Sequence, residues 1–297
     1  MPTPLVLAHG GAGASAEHRD GPERAVRLAL DLLGAGATAL DAAIAATVDL
    51  EDDPRFNAGT GSNLRLDGET LEMDAAVMTS DGRSGAVANL AGVRNPVRVA
   101  AEVRARTPHL LLAGEGATAF ARRLGFAPYD AATEKARKKL AWARDGLKGL
   151  VDDDEEFGKW RAVEIQKVWN FAREPGECLG DTVGAVARAA DGTFAAACST
   201  GGTLVMLRGR IGDTPLVGCG FYAGPAGAVT CTGTGEEIVR RFTSLRVYDW
   251  MAQGVPAAEA AARGLAMFPD EIGVGILAVD AGSHAIVSNR EMPAAAS

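Results

Sequence analysis

The strand-like segments of the chain are short runs that are either apolar throughout or alternate between apolar and polar residues. They fall into two blocks. The runs are bounded by glycine, proline and Asp-Gly pairs, which are typical of turns. The first block comprises residues 4–8, 64–78 and 85–91. The second block comprises residues 183–189, 194–198, 203–207, 273–280 and 284–288. Such segments predict strands joined largely by hairpins.

Amphipathic segments with a period near 3.6 residues predict helices around these blocks. The first begins at Pro22, which suits the first turn of a helix, and ends at Gly34. The predicted helices span residues 22–34, 39–50, 96–107, 116–124, 235–252 and 257–267. Because the strands cluster instead of alternating with helices, the pattern favours two stacked sheets flanked by helices, an α+β fold.

Residues 130–181 differ from the rest of the chain in composition. Charged residues crowd together there, residues 152–156 are five consecutive acids, and Pro175 and Gly176 form a turn signal. This composition predicts an acidic surface segment that serves as a linker.

Composition and charge exclude several classes of protein. The 297 residues are 47% apolar and 23% charged, as is ordinary for a globular protein of one large or two smaller domains. The formal net charge is −8 and no Lys/Arg-rich run is present, so nucleic acid is not an expected partner. The sequence shows neither a signal peptide nor an apolar stretch near the roughly 18 residues of a membrane span. A cytoplasmic protein with no membrane partner is therefore expected.

Common catalytic and metal-binding motifs are missing from the sequence. Four cysteines and four histidines are scattered, which indicates neither a zinc site nor a disulfide framework. The glycine loop at 9–13 does not complete a G-x-G-x-x-G fingerprint, and a tight turn explains it better than phosphate binding. The chain also contains no G-x-S-x-G elbow, H-E-x-x-H pair or phosphate-binding G-x-x-x-x-G-K-[ST] loop.

Threonine and glycine instead concentrate in four short clusters of the second block. The clusters are GDTVGAV at 180–186, STGG at 199–202, GRIGD at 209–213 and TCTGTGE at 230–236. No histidine lies between His109 and His284 to activate a hydroxyl group. The α-amine of a threonine, with a pKa of about 7.7–8.0, can act as its own base once the chain is cut before it. The clusters therefore indicate an N-terminal nucleophile.

Further segments extend this pattern: HGGAG at 9–13, FNAGTGSNL at 56–64, GAVANLAGVRNPVRVA at 85–100 and GEGA at 114–117. In their order and spacing, all these segments resemble the plant-type asparaginase/isoaspartyl peptidase family of N-terminal nucleophile (Ntn) hydrolases. The resemblance covers about residues 5–236. It implies a four-layer αββα sandwich of two stacked, mainly antiparallel sheets, the Ntn-hydrolase fold. It also implies a single domain over residues 1–297 that cleaves itself between Asp181 and Thr182, and a homodimer of cleaved protomers.

The resemblance implies a role for each motif residue. Thr182 would be nucleophile and, through its amine, base, while Thr200 would hydrogen-bond around it and assist self-cleavage. Thr232 and the Gly233 amide would form the oxyanion hole. The substrate's α-carboxylate and α-ammonium groups would be held by Arg210, by Asp213 and by the carbonyl of Gly235. Residues that would pack beside or support the site are Gly10, Gly11 and Asn57.

The resemblance also implies a cation-binding loop but no required cofactor. The stretch 50–60 is similar to the family's sodium-binding loop, in which backbone carbonyl oxygens suit a hard cation. The implied ligands of a structural Na⁺ are Leu50, Glu51, Asp53, Phe56, Ala58 and Thr60.

Plainer interpretations stay open for each motif. Thr182 could be an ordinary strand residue, Arg210 and Asp213 a surface ion pair, and Asp53 part of a turn. Residues 203–207 are apolar where many family members are polar and basic. Asp181 stands before Thr182, and an aspartate also precedes the nucleophile in the glycosylasparaginase and taspase branches. The expected function is hydrolysis of L-asparagine and β-aspartyl dipeptides. The alternatives are a glycosylasparaginase-type hydrolase and an amino-acid-binding protein that never matures.

Overall fold

The computed structural model describes residues 2–65, 67–146, 182–203 and 206–297. Within them lie eight α-helices, eleven β-strands and two 3₁₀ turns at Ala16–Arg19 and Gly59–Gly61. The helices are α1 (Asp20–Gly34), α2 (Ala39–Asp52), α3 (Pro96–Arg106), α4 (Gly114–Arg123), α5 (Glu134–Gly146), α6 (Gly235–Arg241), α7 (Thr243–Ala252) and α8 (Ala257–Leu265). The strands are β1 (Leu5–His9), β2 (Met73–Thr79), β3 (Ser84–Leu90), β4 (Leu111–Ala113), β5 (Thr182–Arg188), β6 (Phe194–Thr200), β7 (Phe221–Gly224), β8 (Gly227–Gly233), β9 (Val274–Val279), β10 (His284–Ser288) and β11 (Ala294–Ala296).

The strands form one large and one small sheet. The seven-stranded sheet has the order β11-β1-β5-β6-β2-β3-β4, and the four-stranded sheet has the order β10-β9-β8-β7. All neighbouring strands are antiparallel except β3 and β4, which are parallel. Strands β5 and β6 lie at the centre of the large sheet and pack against β8 of the small one.

Three apolar clusters separate four layers. Along β5, Val183 and Ala185 pack towards α1 and α2, whereas Val186 packs between the two sheets with Phe221 and Leu277. A third cluster lies between the small sheet and helices α6 to α8. The two-residue period of each strand thus buries both of its faces. This αββα arrangement confirms the predicted α+β Ntn-hydrolase fold.

Small residues bring α2 close to the large sheet. Alanines line its buried face together with Leu50, and this helix contacts both β5 and β6. Its start is fixed by a capping box, in which Thr38 Oγ1 accepts from the Asp41 amide at 3.1 Å and Asp41 Oδ2 accepts from the Thr38 amide at 3.1 Å. The end of α2 leads directly into the 53–63 loop beside the site.

Several predicted boundaries were wrong. The helix predicted over 235–252 is broken at Phe242, whose φ of 49° is left-handed and cannot continue a helix. The first part of the strand predicted over 64–78 contains a turn closed by the Gly68 amide donating to the Arg65 carbonyl at 2.8 Å. Residues 203, 206 and 207 of a further predicted strand lie outside any strand.

The predicted linker at about 130–181 contains the charged helix α5, and its residues 147–181, including Asp181, lie outside the described residues. Strands β4, β7, β8 and β11 were not predicted, because they are short or rich in alanine, glycine and threonine. None of the helices described is long and apolar enough to cross a bilayer.

Candidate active site

Two threonine hydroxyls meet at the centre of the large sheet. Thr182 is the first residue of β5 and pairs in register with Thr200, the last residue of β6. Both side chains lie on the face towards the small sheet, since they alternate in step with Val186 and Cys198. Thr182 Oγ1 donates to Thr200 Oγ1 at 3.0 Å, and only 7% of Thr182 is exposed. A buried hydroxyl pair therefore stands at one end of the sandwich.

The turn after β6 is held by Asn57 in the 53–63 loop. The Asn57 carbonyl accepts from the Gly201 amide at 2.9 Å, and its Nδ2 donates to the Gly202 carbonyl at 2.8 Å. The Gly202 amide in turn donates to Thr200 Oγ1 at 3.0 Å. A Cβ at Gly201 would lie 2.4 Å from Asn57 Oδ1, so only glycine fits this close approach. Asn57 thus contacts the turn that orients Thr200.

The glycine loop after β1 connects the two sheets at the same end. His9 pairs with Gly184 of β5, and three residues later the Ala12 amide donates to Thr232 Oγ1 at 3.3 Å. Thr232 lies on β8 and is fully buried. Gly233 has a φ of 128°, and a Cβ there would lie 2.2 Å from the Gly273 carbonyl oxygen, so the position requires glycine.

Gly10 and Gly11 bring the same loop against the 53–63 loop. A Cβ at Gly10 would lie 2.3 Å from the Phe56 ring, and Gly11 has a φ of 109°. The Gly10 amide donates to the Pro293 carbonyl at 2.8 Å. Both glycines therefore allow close backbone packing next to the site.

Arg210, Asp213 and Gly235 come together beside these threonines. Arg210 donates through Nε and Nη2 to the two carboxylate oxygens of Glu236, at 2.9 and 2.8 Å. A Cβ at Gly235 would lie 2.8 Å from Asp213 Oδ1 and 2.9 Å from Arg210 Nη2. The three residues therefore form one charged cluster, in which Glu236 already engages the guanidinium.

Burial sets the protonation of this cluster. Burial raises the pKa of Asp213 to about 7, against the lowering effect of Arg210. Burial likewise raises the pKa of Asp74 to about 6, although Asp74 Oδ1 accepts from the Asn89 amide at 2.8 Å. Burial alone would lower the pKa of Arg210, but its hydrogen bonds to Glu236 raise it. Arg210 thus stays a cation, while the carboxyl groups of Asp213 and of neighbouring Asp74 titrate near neutral pH.

The end of α2 presents carbonyl oxygens suited to a hard cation. The carbonyls of Leu50 and Glu51 lie in its last turn, where Pro54 has no amide hydrogen and the Arg55 amide donates to Asp53 Oδ1 at 3.0 Å. The Asp53 carboxylate pairs with Arg24 and Arg55, at 3.1 and 2.7 Å.

Of the other three implied ligands, Phe56, Ala58 and Thr60, the last two are already engaged. The Ala58 carbonyl accepts from the Gly61 amide at 3.0 Å, and Thr60 Oγ1 shares a hydrogen bond with the Tyr129 hydroxyl at 3.1 Å. Within the described ranges no three His, Cys, Asp or Glu side chains form a metal-binding group. A cation in this loop would therefore rest on backbone carbonyls.

Comparison with known proteins identifies the family. A family model described as asparaginase matches residues 2–297. The chain belongs to the asparaginase family. A plant-type L-asparaginase of Pyrococcus furiosus is 39% identical over 292 residues, which cover 94% of this chain and 90% of the relative. An isoaspartyl peptidase/L-asparaginase of Danio rerio is 40% identical over 291 residues, covering 93% and 86%. One of Bos taurus is 37% identical over 312 residues, covering 99% and 92%.

Membership of the asparaginase family confirms the resemblance drawn from the threonine and glycine clusters, and makes the chain an enzyme of an amidohydrolase family. The structure adds residues that sequence reasoning missed. His9 is fully buried, neither ring nitrogen has a hydrogen-bond partner among the described residues, and burial lowers its pKa to about 3. A neutral His9 therefore lies two residues along the ladder from Thr182. Its place in the HGGAG segment could have indicated His9 as a candidate site residue, but its pairing with β5 is visible only in the tertiary structure.

Proposed function

We propose that this asparaginase-family enzyme cleaves itself between Asp181 and Thr182, and that Thr182 then hydrolyses L-asparagine and β-aspartyl dipeptides. The printed names of its relatives, L-asparaginase and isoaspartyl peptidase/L-asparaginase, support this substrate class. The observation that carries the proposal is the 3.0 Å contact between Thr182 Oγ1 and Thr200 Oγ1 at the start of β5. A buried threonine at the start of a strand, beside a second hydroxyl, suits both steps.

Self-cleavage requires the Thr182 hydroxyl to attack the carbonyl carbon of Asp181. The C–N bond of that peptide breaks as a C–O bond forms, so the acyl group moves from nitrogen to oxygen and the nitrogen takes the hydroxyl proton. Water then hydrolyses the ester and leaves a carboxyl group on Asp181 and a free amine on Thr182. Thr200 Oγ1, which already accepts a hydrogen bond from the Thr182 hydroxyl, orients the nucleophile in this step.

The matured enzyme uses the same hydroxyl on substrate. The Thr182 amine, with an unperturbed pKa of about 7.7–8.0, accepts the hydroxyl proton as Oγ1 attacks the side-chain carbonyl carbon. Ammonia or an amino acid leaves with that proton, and water hydrolyses the β-aspartyl ester. The Thr232 hydroxyl and the Gly233 amide donate to the developing oxyanion, and each such donor is typically worth roughly 2.7–4 kcal/mol.

The charged cluster binds the zwitterionic end of the substrate. The guanidinium of Arg210 matches a carboxylate in a two-pronged geometry, while ionised Asp213 and the Gly235 carbonyl accept from the α-ammonium group. Glu236 accepts hydrogen bonds from Nε and Nη2 of Arg210. The substrate carboxylate must therefore share these two donors with Glu236 or displace it.

A structural Na⁺ would rest on the loop carbonyls implied at Leu50, Glu51, Asp53, Phe56, Ala58 and Thr60, and would stiffen the loop that carries Asn57. No organic cofactor takes part, and the enzyme works as a cytoplasmic homodimer of cleaved protomers. A melting temperature that rises in NaCl but not in tetramethylammonium chloride of equal strength would support the ion site.

Intact-mass spectrometry and a substrate panel test the proposed activity. The purified wild-type protein should show two fragments divided at Asp181/Thr182, whereas Thr182→Ala should remain one folded chain. Matured protein should release ammonia from L-asparagine and leucine from β-aspartyl-leucine. Preferred release from an N-glycosylated asparagine would instead support the glycosylasparaginase alternative. A wild-type chain that stays whole after long incubation would support the non-maturing binding protein.

A further inference from the structure

The structure places a fully buried arginine under the loop that joins Thr200 to Arg210. Arg65 is 0% exposed and donates through Nη1 to the Gly201 carbonyl at 2.8 Å and to the Asn63 carbonyl at 3.2 Å. Its Nη2 donates to the Glu72 carbonyl, and its Nε lies 3.6 Å from Glu72 Oε2. A buried guanidinium is costly unless it is paired, so these contacts determine where its neighbours lie.

Glu72 carries the contact to the other end of the same loop. It is 8% exposed, and its Oε2 accepts from the Gly209 amide at 3.0 Å. Gly209 directly precedes Arg210, just as Gly201 directly follows Thr200. The Arg65–Glu72 ion pair therefore contacts the loop at Gly201 and Gly209, the residues next to Thr200 and Arg210.

A short chain of contacts leads from Arg65 to the nucleophile. A Cβ at Gly202 would lie 3.2 Å from Arg65 Nη2, so the turn packs directly on the guanidinium. The Gly202 amide donates to Thr200 Oγ1, which accepts from Thr182 Oγ1, each at 3.0 Å. A shift of Arg65 would thus be transmitted to the hydroxyl pair through two hydrogen bonds.

We propose that Arg65 and Glu72 are positioning residues, which set the distance between the nucleophile pair Thr182–Thr200 and the substrate-binding Arg210. The inference rests on the proposed function, because it takes L-asparagine as the substrate. It assigns the two residues different effects. Arg65 acts on the turn beside Thr200 and therefore on self-cleavage and kcat, whereas Glu72 acts on the residue beside Arg210 and therefore on KM.

Two conservative substitutions separate these effects from a general loss of stability. Arg65→Lys keeps the charge but cannot reach all three carbonyls, so self-cleavage and kcat should fall, up to about a hundredfold, as small misplacements of reacting groups can cause. Glu72→Gln replaces the charged acceptor of the Gly209 amide with a weaker neutral one, whereas Arg65 keeps its three contacts to backbone carbonyls. The KM of Glu72→Gln for L-asparagine should rise about tenfold, again through misplacement, while self-cleavage stays within about twofold of wild type.

Arg188→Lys is the matched control. Arg188 is also a buried arginine, 8% exposed, that holds carbonyls, namely those of Thr3, Asp280 and Ala281. It ends β5, about 20 Å along the strand from Thr182. Its substitution should lower the melting temperature and leave kcat, KM and the self-cleavage rate unchanged.

The measurements are the self-cleavage rate, kcat, KM and melting temperature of all three variants. If Arg65→Lys and Glu72→Gln behave like Arg188→Lys, with wild-type kinetics and only reduced stability, the inference is overturned while the proposed function stands. If Arg65→Lys gives no folded protein, an unchanged KM in Glu72→Gln is by itself enough to overturn the inference. A wild-type protein that neither cleaves itself nor hydrolyses L-asparagine contradicts the proposed function, and with it the assignment of these residues to positioning.

Discussion

At the residue scale, the proposed role of Arg210 predicts that substrate affinity depends on the geometry of its guanidinium. Arg210→Lys keeps a positive charge but loses the two-pronged fork, so KM for L-asparagine should rise at least about tenfold, because a hydrogen bond to a charged group is worth roughly 1.5–3 kcal/mol. Self-cleavage has no free carboxylate to bind and should proceed normally. The control is Arg240→Lys, an exposed arginine on α6, the helix that carries Glu236. A wild-type KM in Arg210→Lys would move the carboxylate-binding site elsewhere.

The proposed role of Asp213 predicts a pH dependence of substrate binding. Burial raises its pKa to about 7, so below that pH the free enzyme holds a neutral carboxyl that cannot pair with the α-ammonium group. Affinity for L-aspartate, measured as an inhibition constant on the matured enzyme, should therefore fall as pH drops below 7, towards about tenfold per pH unit. Above pH 7 it should level off.

Asp213→Asn is the control for this titration. The neutral amide should bind L-aspartate weakly at every pH and make the dependence between pH 5 and 7 much shallower, with only the titration of Asp74 left. The charges of Arg210, Glu236 and Asp74 also affect the pKa of Asp213, but none of these residues is changed in this variant. Wild-type affinity that is constant from pH 5 to 8 would show that Asp213 does not bind the ammonium group.

The sequence alone could locate the motif residues but not all of their partners. Thr182 and Thr200 are 18 residues apart, and Arg210 and Glu236 are 26 apart. The first contact follows from pairing two predicted strands in register. The second requires the position of α6 relative to the loop, which no local pattern specifies. For the same reason, nothing in the sequence distinguished Arg65 from a surface arginine.

At the element scale, the junction of α6 and α7 stores backbone strain. Phe242 has a φ of 49°, a conformation that costs a bulky L-residue roughly 1–2 kcal/mol, and its side chain is 54% exposed. Asparagine adopts this conformation more readily, so Phe242→Asn should stabilise the protein by about 1 kcal/mol. Phe242→Ala, which removes the ring but keeps a Cβ, should not. A melting temperature that falls equally in both variants would show that the ring stabilises the fold more than the strain destabilises it.

Element prediction succeeded where periodicity and end signals agreed. Helices α1 to α4 and the hairpins β2–β3 and β9–β10 combine apolar periods with clear turn or end residues. Strand β8 was missed because its Thr-Cys-Thr-Gly residues resemble a loop, although its alternate side chains face two different cores. Helix α5 was missed because its charge resembles a linker. For β8, tertiary burial and not local propensity determines the structure, whereas α5 consists largely of residues with high helix propensity.

At the scale of the whole molecule, the large sheet interleaves the two fragments that self-cleavage would produce. Strands β1 to β4 precede the proposed cut, and β5, β6 and β11 follow it. Strand β1 lies between β11 and β5, and β2 pairs with β6. Three ladders and the core between the sheets therefore join the fragments 1–181 and 182–297. Cutting the chain removes one covalent bond but none of these contacts.

The matured fragments should therefore remain associated and unfold together. Native mass spectrometry and gel filtration should show both fragments in one particle after cleavage, and thermal unfolding should be a single transition in which neither fragment survives alone. Separation should require denaturant, because removing β1 or β2 would expose unpaired strands on both sides and open the shared core. Mixing isotope-labelled and unlabelled matured protein should give no exchanged fragments under native conditions. Recovery of either fragment alone from native buffer would contradict the interleaved sheet order.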